Sequence, residues 1–328
     1  MSNFEFKWGI IGTGGIAKAF ANDLDYVKDH KVVAVGSRKS NSAQQFASKY
    51  PGCTGYASYS ELVADPSLDG VYIATPHNFH KEHTIMALNA GKPVLCEKPF
   101  AVNEHEVRSM IDLAQNKGLT LMEAMWTRFL PHIAKVREIL ARGILGEIFT
   151  IHADFGRRLT ENNNPRLWEP KLAGGALLDL GIYPVFFSHL VLGAPSSIVA
   201  QATFTDKGVD AQTSAVFTYE NGAQSIISAS SHTQTPCTAH ISGFKGFLEI
   251  DQQFYCPTAM RIVLHDGSKM EYPNTYKGHG LREQAIEFAH CVRAGKIESP
   301  LLPHNESISV MESMDEIRRQ VGLRYPNE

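Results

Sequence analysis

The sequence lacks several features that would each have set its class. No run approaches the roughly 18 apolar residues of a membrane-crossing helix, so no span is expected. Neither charge dominates: 31 Lys and Arg stand against 34 Asp and Glu, a net charge of −3. That removes any electrostatic reason to expect nucleic acid or an anionic membrane as partner. The cysteines are five, odd in number and scattered (Cys53, Cys96, Cys237, Cys256, Cys291), with no C-x-x-C pair or metal spacing. This usage is expected of a reducing, cytoplasmic setting. No secretory leader is expected either, because strand-like "KWGIIG" begins within a few residues of the start. Internal repeats, low-complexity segments and long linkers are also missing.

What is present is an ordinary globular composition, 43% hydrophobic and 20% charged. A chain of 328 residues exceeds what one core usually holds, so two domains are expected. Over residues 1–125 strand and helix signals alternate. "KWGIIG", "KVVAVGS", "DGVYIATP", "KPVLCEKP" and "LTLMEAMW" read as strands; "IAKAFANDLDYVKD", "SAQQFASKY", "YSELVAD" and "HKEHTIMALNAG" read as helices. Asn103 with Glu106 three residues on marks a further helix start, and Gly118 its end. Alternation of this kind predicts a parallel sheet covered by helices on both faces.

From 126 to 328 the rhythm changes. After a helix at about 129–141 come strands with few helices between them, with Asn221-Gly222 and Asp266-Gly267 as hairpin turns. Helices return at about 281–293 and 307–320. The expected architecture is α/β: a Rossmann domain, 1–125, then an α+β substrate and dimerisation domain, 126–328, with a large, mainly antiparallel open sheet.

The first strand runs into Gly12-Thr13-Gly14-Gly15-Ile16-Ala17, which fits G-x-G-x-x-G/A. Gly12 permits the tight turn, Gly14 lets a pyrophosphate approach the backbone, and Ala17 allows close helix–strand packing. A strand before and a helix after supply the context that makes the motif informative. The second strand ends in Ser37-Arg38-Lys39 where an NAD reader usually carries an acidic residue. Arg38 offers a 2′-phosphate a planar fork and Ser37 a hydroxyl. NADP is therefore expected over NAD.

Three other stretches carry chemistry: "ATPHNFH" (74–80), "VLCEKPF" (94–100) and "AGGALLDLGIYPVFFSHL" (173–190). A lysine at a strand end, such as Lys98, is either surface solvation or a working residue. Asp179 and Tyr183, four apart, share a face of a helix that Pro184 kinks or ends. His77, His80 and His83 are spaced by three, but no carboxylate completes a metal set, so no metal is expected.

These motifs together are similar to the Gfo/Idh/MocA oxidoreductases, over nearly the whole chain. "MEAMWTRFLP" (122–131) resembles the branch with dimeric dihydrodiol dehydrogenase and NADP-dependent D-xylose dehydrogenases. The resemblance implies that Lys98 of the E-K-P motif transfers a proton or holds a substrate hydroxyl, with Asp179 and Tyr183 as partners. Many members have histidine at the last position; Tyr183 matches this branch. It implies cofactor contacts for Gly12–Ile16, Ser37, Arg38, Thr75, Pro76, Asn78, His80, Glu97 and Lys98, and a homodimer through the C-terminal sheet.

Physical reasoning agrees. Oxidising a secondary alcohol needs a base for the hydroxyl proton while a hydride leaves the same carbon. Lysine and tyrosine ordinarily titrate near ~10, so the chemistry needs burial or a neighbouring positive charge to lower them. Trp126, Phe155 and Trp168 are candidate substrate walls. The expected activity is NADP-dependent oxidation of a sugar or cyclic diol. The alternatives are keto-sugar reduction at the same site, or a non-catalytic dinucleotide-binding sensor.

Overall fold

Six short strands that are apolar along most of their length are stable only between covering layers. The computed structural model, which describes residues 5–326, builds such a layer. In chain order it runs β1 (Phe6–Ile11), α1 (Gly15–Asp23), β2 (His30–Gly36), α2 (Ser40–Ala47), β3 (Thr54–Tyr56), α3 (Tyr59–Val63), β4 (Gly70–Ile73), α4 (His80–Asn89), β5 (Val94–Glu97), α5 (Glu104–Lys117) and β6 (Leu121–Ala124). Every pairing is parallel and the strand order is β3-β2-β1-β4-β5-β6, the doubly wound dinucleotide order. Asn103 caps α5 by accepting the Glu106 N–H at 2.9 Å, and Gly118 closes it at φ 64°. Strand β3 was not expected; its three residues are half-buried or exposed and carry no pattern.

The second part contains α6 (Pro131–Ala141), β7 (Ile148–Gly156), a π-helical turn at Leu177–Gly181 leading into α7 (Ile182–Leu192), then β8 (Ser197–Phe204), β9 (Asp210–Thr218), β10 (Gln224–Ser230), β11 (Ala239–Gly243), β12 (Gly246–Ile250), β13 (Met260–Leu264) and β14 (Lys269–Tyr272). These eight strands form one sheet, ordered β14-β13-β12-β11-β7-β10-β9-β8. Neighbours are antiparallel except β7 and β10, which run parallel. Gly222 and Gly267, at φ 81° and 89°, make the two hairpin turns. Burial alternates along β9, so one face is packed and the other open. The stretch Pro170–Leu192 is long and apolar enough to cross a membrane, but it is mostly buried inside the protein, as befits a core segment.

Two helices close the chain, α8 (Arg282–Arg293) and α9 (His304–Val321). The chain divides into two compact units: residues up to Phe129 with Lys277–Ser307, and Leu130–Tyr276 with residues from Ile308 on. A single cut at 125 misses this return. Phe288 of α8 packs on Phe6 and Trp8 of β1, with ring centroids 6.1 and 5.2 Å away. Gly70 has no room for a side chain, because a Cβ would stand 2.7 Å from Phe288. The buried Asp23 carboxylate at the end of α1 accepts the N–H groups of His279, Gly280 and Arg282 at 2.7, 3.0 and 2.9 Å.

Candidate active site

Ligands of doubly wound sheets bind beyond the carboxyl ends of the strands, where the order reverses. Here the reversal lies at β1 and β4. Gly12 holds φ 114°, and a Cβ there would sit 2.7 Å from the Ala74 carbonyl at the end of β4, so only glycine fits. The first N–H groups of α1 have no partner within the helix and form its positive end. An added Cβ on Gly14 or Gly15 would meet nothing within 4 Å, so the backbone of the turn is open on that side. Thr13 and Ile16 flank it half-buried, and Ala17 is fully buried. Asn78 Oδ1 is buried without a hydrogen-bond partner among the described residues, an acceptor left for a ligand. The turn, helix end and acceptor fit a dinucleotide.

At the end of β2, Ser37 is buried and its Oγ accepts the Lys39 N–H at 3.3 Å. The Arg38 guanidinium lies 5.6 Å from the Phe79 ring centroid and hydrogen-bonds Tyr59. Burial, then the Arg38 charge, pushes His83 down to about 4. His83 Nδ1 lies 3.0 Å from Thr75 Oγ1. The guanidinium is thus oriented by two aromatic rings, with no acidic side chain pairing with it among the described residues.

Lys98 stands half-buried immediately after β5, and its bond to Pro99 is cis. Glu97 before it is buried; one carboxylate oxygen accepts the Tyr72 hydroxyl and the other the Lys98 N–H at 3.2 Å. Tyr72 in turn stacks on Phe20 of α1, centroids 3.9 Å apart. His80 joins the two turns: Nδ1 lies 2.8 Å from the Pro99 carbonyl and Nε2 2.9 Å from that of Thr75. Both its nitrogens are therefore occupied by main chain. Pro76 opens the short helical turn at His77–Phe79. Trp126, just beyond β6, is buried against the His279 ring at 5.2 Å.

The second unit places its candidates on the π-helical turn and what surrounds it. Gly174 and Gly175 precede that turn because nothing larger fits. A Cβ on Gly174 would be 2.5 Å from the Leu167 carbonyl; one on Gly175, at φ 114°, would overlap Asp210 Oδ1. Asp210 is fully buried and accepts the Leu177 N–H at 2.7 Å and the Thr213 hydroxyl at 2.8 Å. A carboxylate at a helix start is favourable, yet burial pushes this one up to about 6.

Asp179, inside the π turn, pairs with Arg166 Nη2 at 2.9 Å. π turns recur at functional sites. Tyr183 follows in the first turn of α7, its ring against Phe155 and Tyr255 at 5.5 and 4.8 Å. Phe155 and Tyr255 stack on each other at 4.1 Å. Pro184 does not end the helix, which runs on to Leu192. It occupies the first turn of α7, where a missing N–H costs little, and the wider turn before it relieves the ring. Trp168 is held by its indole N–H on the Leu159 carbonyl at 3.0 Å and packs near His232, 6.1 Å away. It borders a hollow of about 410 Å³ with Arg158 and His232.

The first unit thus gathers Gly12–Ile16, Ser37, Arg38, Thr75, Pro76, Asn78, His80, Glu97, Lys98 and Trp126 at the carboxyl ends of its strands. The second gathers Asp179, Tyr183 and Phe155; Trp168 lines the hollow with Arg158 and His232. Sequence reasoning missed Tyr59, Tyr72, Arg166, Asp210 and Tyr255. None lies in a recognisable motif; only the glycine pair at 174–175, a sign of crowding, pointed towards Asp210.

A doubly wound nucleotide unit followed by a large open sheet defines a two-part, dinucleotide-dependent oxidoreductase. The chain belongs to the Gfo/Idh/MocA oxidoreductases. Residues 6–125 match the oxidoreductase family with an NAD-binding Rossmann fold, and residues 133–249 match a Gfo/Idh/MocA C-terminal domain. It is 37% identical over 334 residues to the trans-1,2-dihydrobenzene-1,2-diol dehydrogenase of Mus musculus, covering 98% of each chain. It is 36% identical over 368 residues to the D-xylose 1-dehydrogenase (NADP(+)) of Hypocrea jecorina, covering 98% of this chain and 94% of that one. Among solved structures, a 3-ketoreductase from Actinomadura kijaniata, in complex with NADP and TDP-benzene, superposes with a TM-score of 0.86 at 27% identity, over 97% of this chain and 98% of that one.

Proposed function

We propose that this protein is an NADP-dependent dehydrogenase that oxidises a secondary alcohol of a sugar or cyclic diol. The observation that carries this reading is the Glu97–Lys98 turn, buttressed by Tyr72 and His80, in the same row of strand ends as the glycine turn and Arg38. The full-length similarity to dihydrodiol and xylose dehydrogenases supports the substrate class. When bound, the nicotinamide supplies the hydride acceptor. Gly12–Ile16 and the start of α1 hold the pyrophosphate, Arg38 and Ser37 the 2′-phosphate, and Thr75, Pro76, Asn78 and Glu97 the nicotinamide end, with His80 bracing the Thr75 and Pro99 main chain beside it. Lys98 and Tyr183 remove the substrate hydroxyl proton. Asp179, restrained by Arg166, orients the substrate or the pair. Phe155 and Trp126 exclude water, and Trp168 contributes a wall for the substrate ring. The similarity to a 3-ketoreductase favours a second use of the same groups, donating the proton in ketone reduction.

The test is a panel of aldoses, inositols, trans-dihydrodiols and keto sugars assayed with NADP(H), following reduced-nicotinamide absorbance. Turnover of none of them would sink the reading. Cofactor choice has its own test. Charge-assisted hydrogen bonds contribute about 1.5–3 kcal/mol each, so Arg38→Ala weakens NADP binding roughly ten- to hundredfold and leaves NAD binding nearly unchanged. Equal affinity of the unsubstituted protein for both cofactors would refute the role of Arg38.

We also propose a cytoplasmic homodimer paired through the open sheet face. The five free cysteines support the reducing location. Val199, Val216 and Ile226 are cross-strand neighbours on β8, β9 and β10, exposed by 68%, 37% and 38%. The same row continues through His152 and His240 to Glu249 and Arg261, which pair with each other. An apolar half and a charged half on one open face suit a symmetric contact. Sedimentation should give a dimer, and Val216→Lys a monomer; a monomer before substitution would end the proposal.

A further inference from the structure

An arginine meant for a phosphate is poorly served by an acidic partner, since a carboxylate would orient it and repel the ligand at once. The exposed guanidinium of Arg38 rests on an aromatic ring instead, with its Cζ 5.6 Å from the Phe79 centroid. That separation is within cation–π range. The ring supports the cation without adding a negative charge.

Phe79 is itself held. It ends the short helical turn His77–Phe79, and its N–H donates to the Pro76 carbonyl at 2.9 Å. Four residues on, His83 of α4 stacks on it, with centroids 5.6 Å and planes 23° apart. The His83 ring is buried, meets Tyr59 of α3 edge-on at 4.7 Å, and puts Nδ1 3.0 Å from Thr75 Oγ1. Tyr59 leans on the end of β2, where a Cβ on Gly36 would stand 3.2 Å from Tyr59 Cδ1. The contacts therefore leave β2 at Arg38, pass through three rings, and return to β2 two residues earlier. None of the three rings carries a charge at neutral pH, because burial and then the Arg38 charge push His83 down to about 4.

We propose that Phe79 and His83 are positioning residues for cofactor choice: they form the platform that holds Arg38 ready for the 2′-phosphate of NADP, an inference that rests on the reading of Arg38 as the group that binds it. A free arginine side chain loses rotamer freedom when it grips a phosphate, and one already seated on a ring has less to lose. Part of the preference for NADP over NAD then resides behind the residue that touches the phosphate. A basic residue at the end of β2 gives the charge, and the rings from α3, α4 and the turn before α4 give it a place.

The test is equilibrium binding of NADPH and NADH to the full chain, followed by reduced-nicotinamide fluorescence, which needs no turnover. Phe79→Leu should weaken NADPH binding about two- to fivefold, the size of one exposed cation–π contact, and leave NADH binding unchanged. Phe79→Tyr, which keeps the aromatic face, should bind NADPH as the unsubstituted protein does. His83→Leu, which removes the stacked imidazole, should lower the ratio of NADPH to NADH affinity as well. In an Arg38→Ala background Phe79→Leu should change neither affinity, because a residue that acts through Arg38 has nothing left to act on. A ratio that either leucine substitution leaves intact overturns the proposal. So does an equal loss for both cofactors, or a loss that persists without Arg38. Equal affinity of the unsubstituted protein for the two cofactors overturns the reading of Arg38 itself, and the platform falls with it.

Discussion

Replacing Lys98 with methionine lowers kcat/KM by roughly 10²–10⁴, while NADP affinity stays within a few-fold. Methionine is chosen because it keeps the length and the apolar stem and removes only the ammonium. The turn should survive, because the Glu97 carboxylate accepts the Lys98 backbone N–H and His80 contacts the Pro99 carbonyl, and neither contact involves the ammonium. A proton-transfer role predicts loss in kcat, with KM little changed, since the missing interaction matters most in the transition state. Tyr183→Phe serves as the companion. If the two residues act as one relay, the double variant is scarcely slower than the worse single one. Steady-state kinetics with the best substrate of the panel decides it. Full turnover by both single variants would remove Lys98 and Tyr183 from the chemistry.

Gly175→Ala destabilises the protein by about 3 kcal/mol or more, because two costs coincide at one atom. The position needs φ 114°, which L side chains rarely adopt, and the new methyl would overlap Asp210 Oδ1. Relief requires moving Asp210, and Asp210 holds the Leu177 N–H at the start of the π turn. The damage should therefore reach Asp179 and Tyr183 as well as the melting temperature. Thermal and urea unfolding measure the first, and substrate KM at permissive temperature the second. An unchanged melting temperature would show that the glycine is there for some other reason. Asp210 is itself held neutral more readily than an ordinary aspartate. Its contribution is most favourable below the usual carboxylate range and declines as pH rises towards about 6, since the unfolded chain then ionises this carboxyl while burial keeps it protonated in the folded state.

The proposed nucleotide site could be read from the sequence because the rules it rests on are local. The Gly12–Ala17 spacing, the apolar strand before it and the basic residue at the end of β2 each follow from one turn or one strand end. The same holds for Asn103, Gly118 and the two hairpin glycines, whose roles depend on neighbours a few residues away. Reading failed where the partner lay far along the chain. Nothing in the sequence singled out Asp23, yet it receives three N–H groups from residues more than 250 positions later. Tyr255 and Arg166, which frame Tyr183 and Asp179, sit in loops whose own sequence says nothing about where they point.

By itself the sequence determined a parallel sheet followed by a largely antiparallel one, a dinucleotide turn, and the segments that carry Lys98, Asp179 and Tyr183. Periodicity, capping and steric limits on glycine act within one element, and so they can be read in order along the chain. Only the tertiary structure decided that 277–307 rejoin the first unit, that β7 and β10 pair in parallel, and which groups surround each working side chain. Burial and charge at a point in space sum over every element that reaches it. The raised carboxyl of Asp210 is a product of that sum, and no local pattern records it.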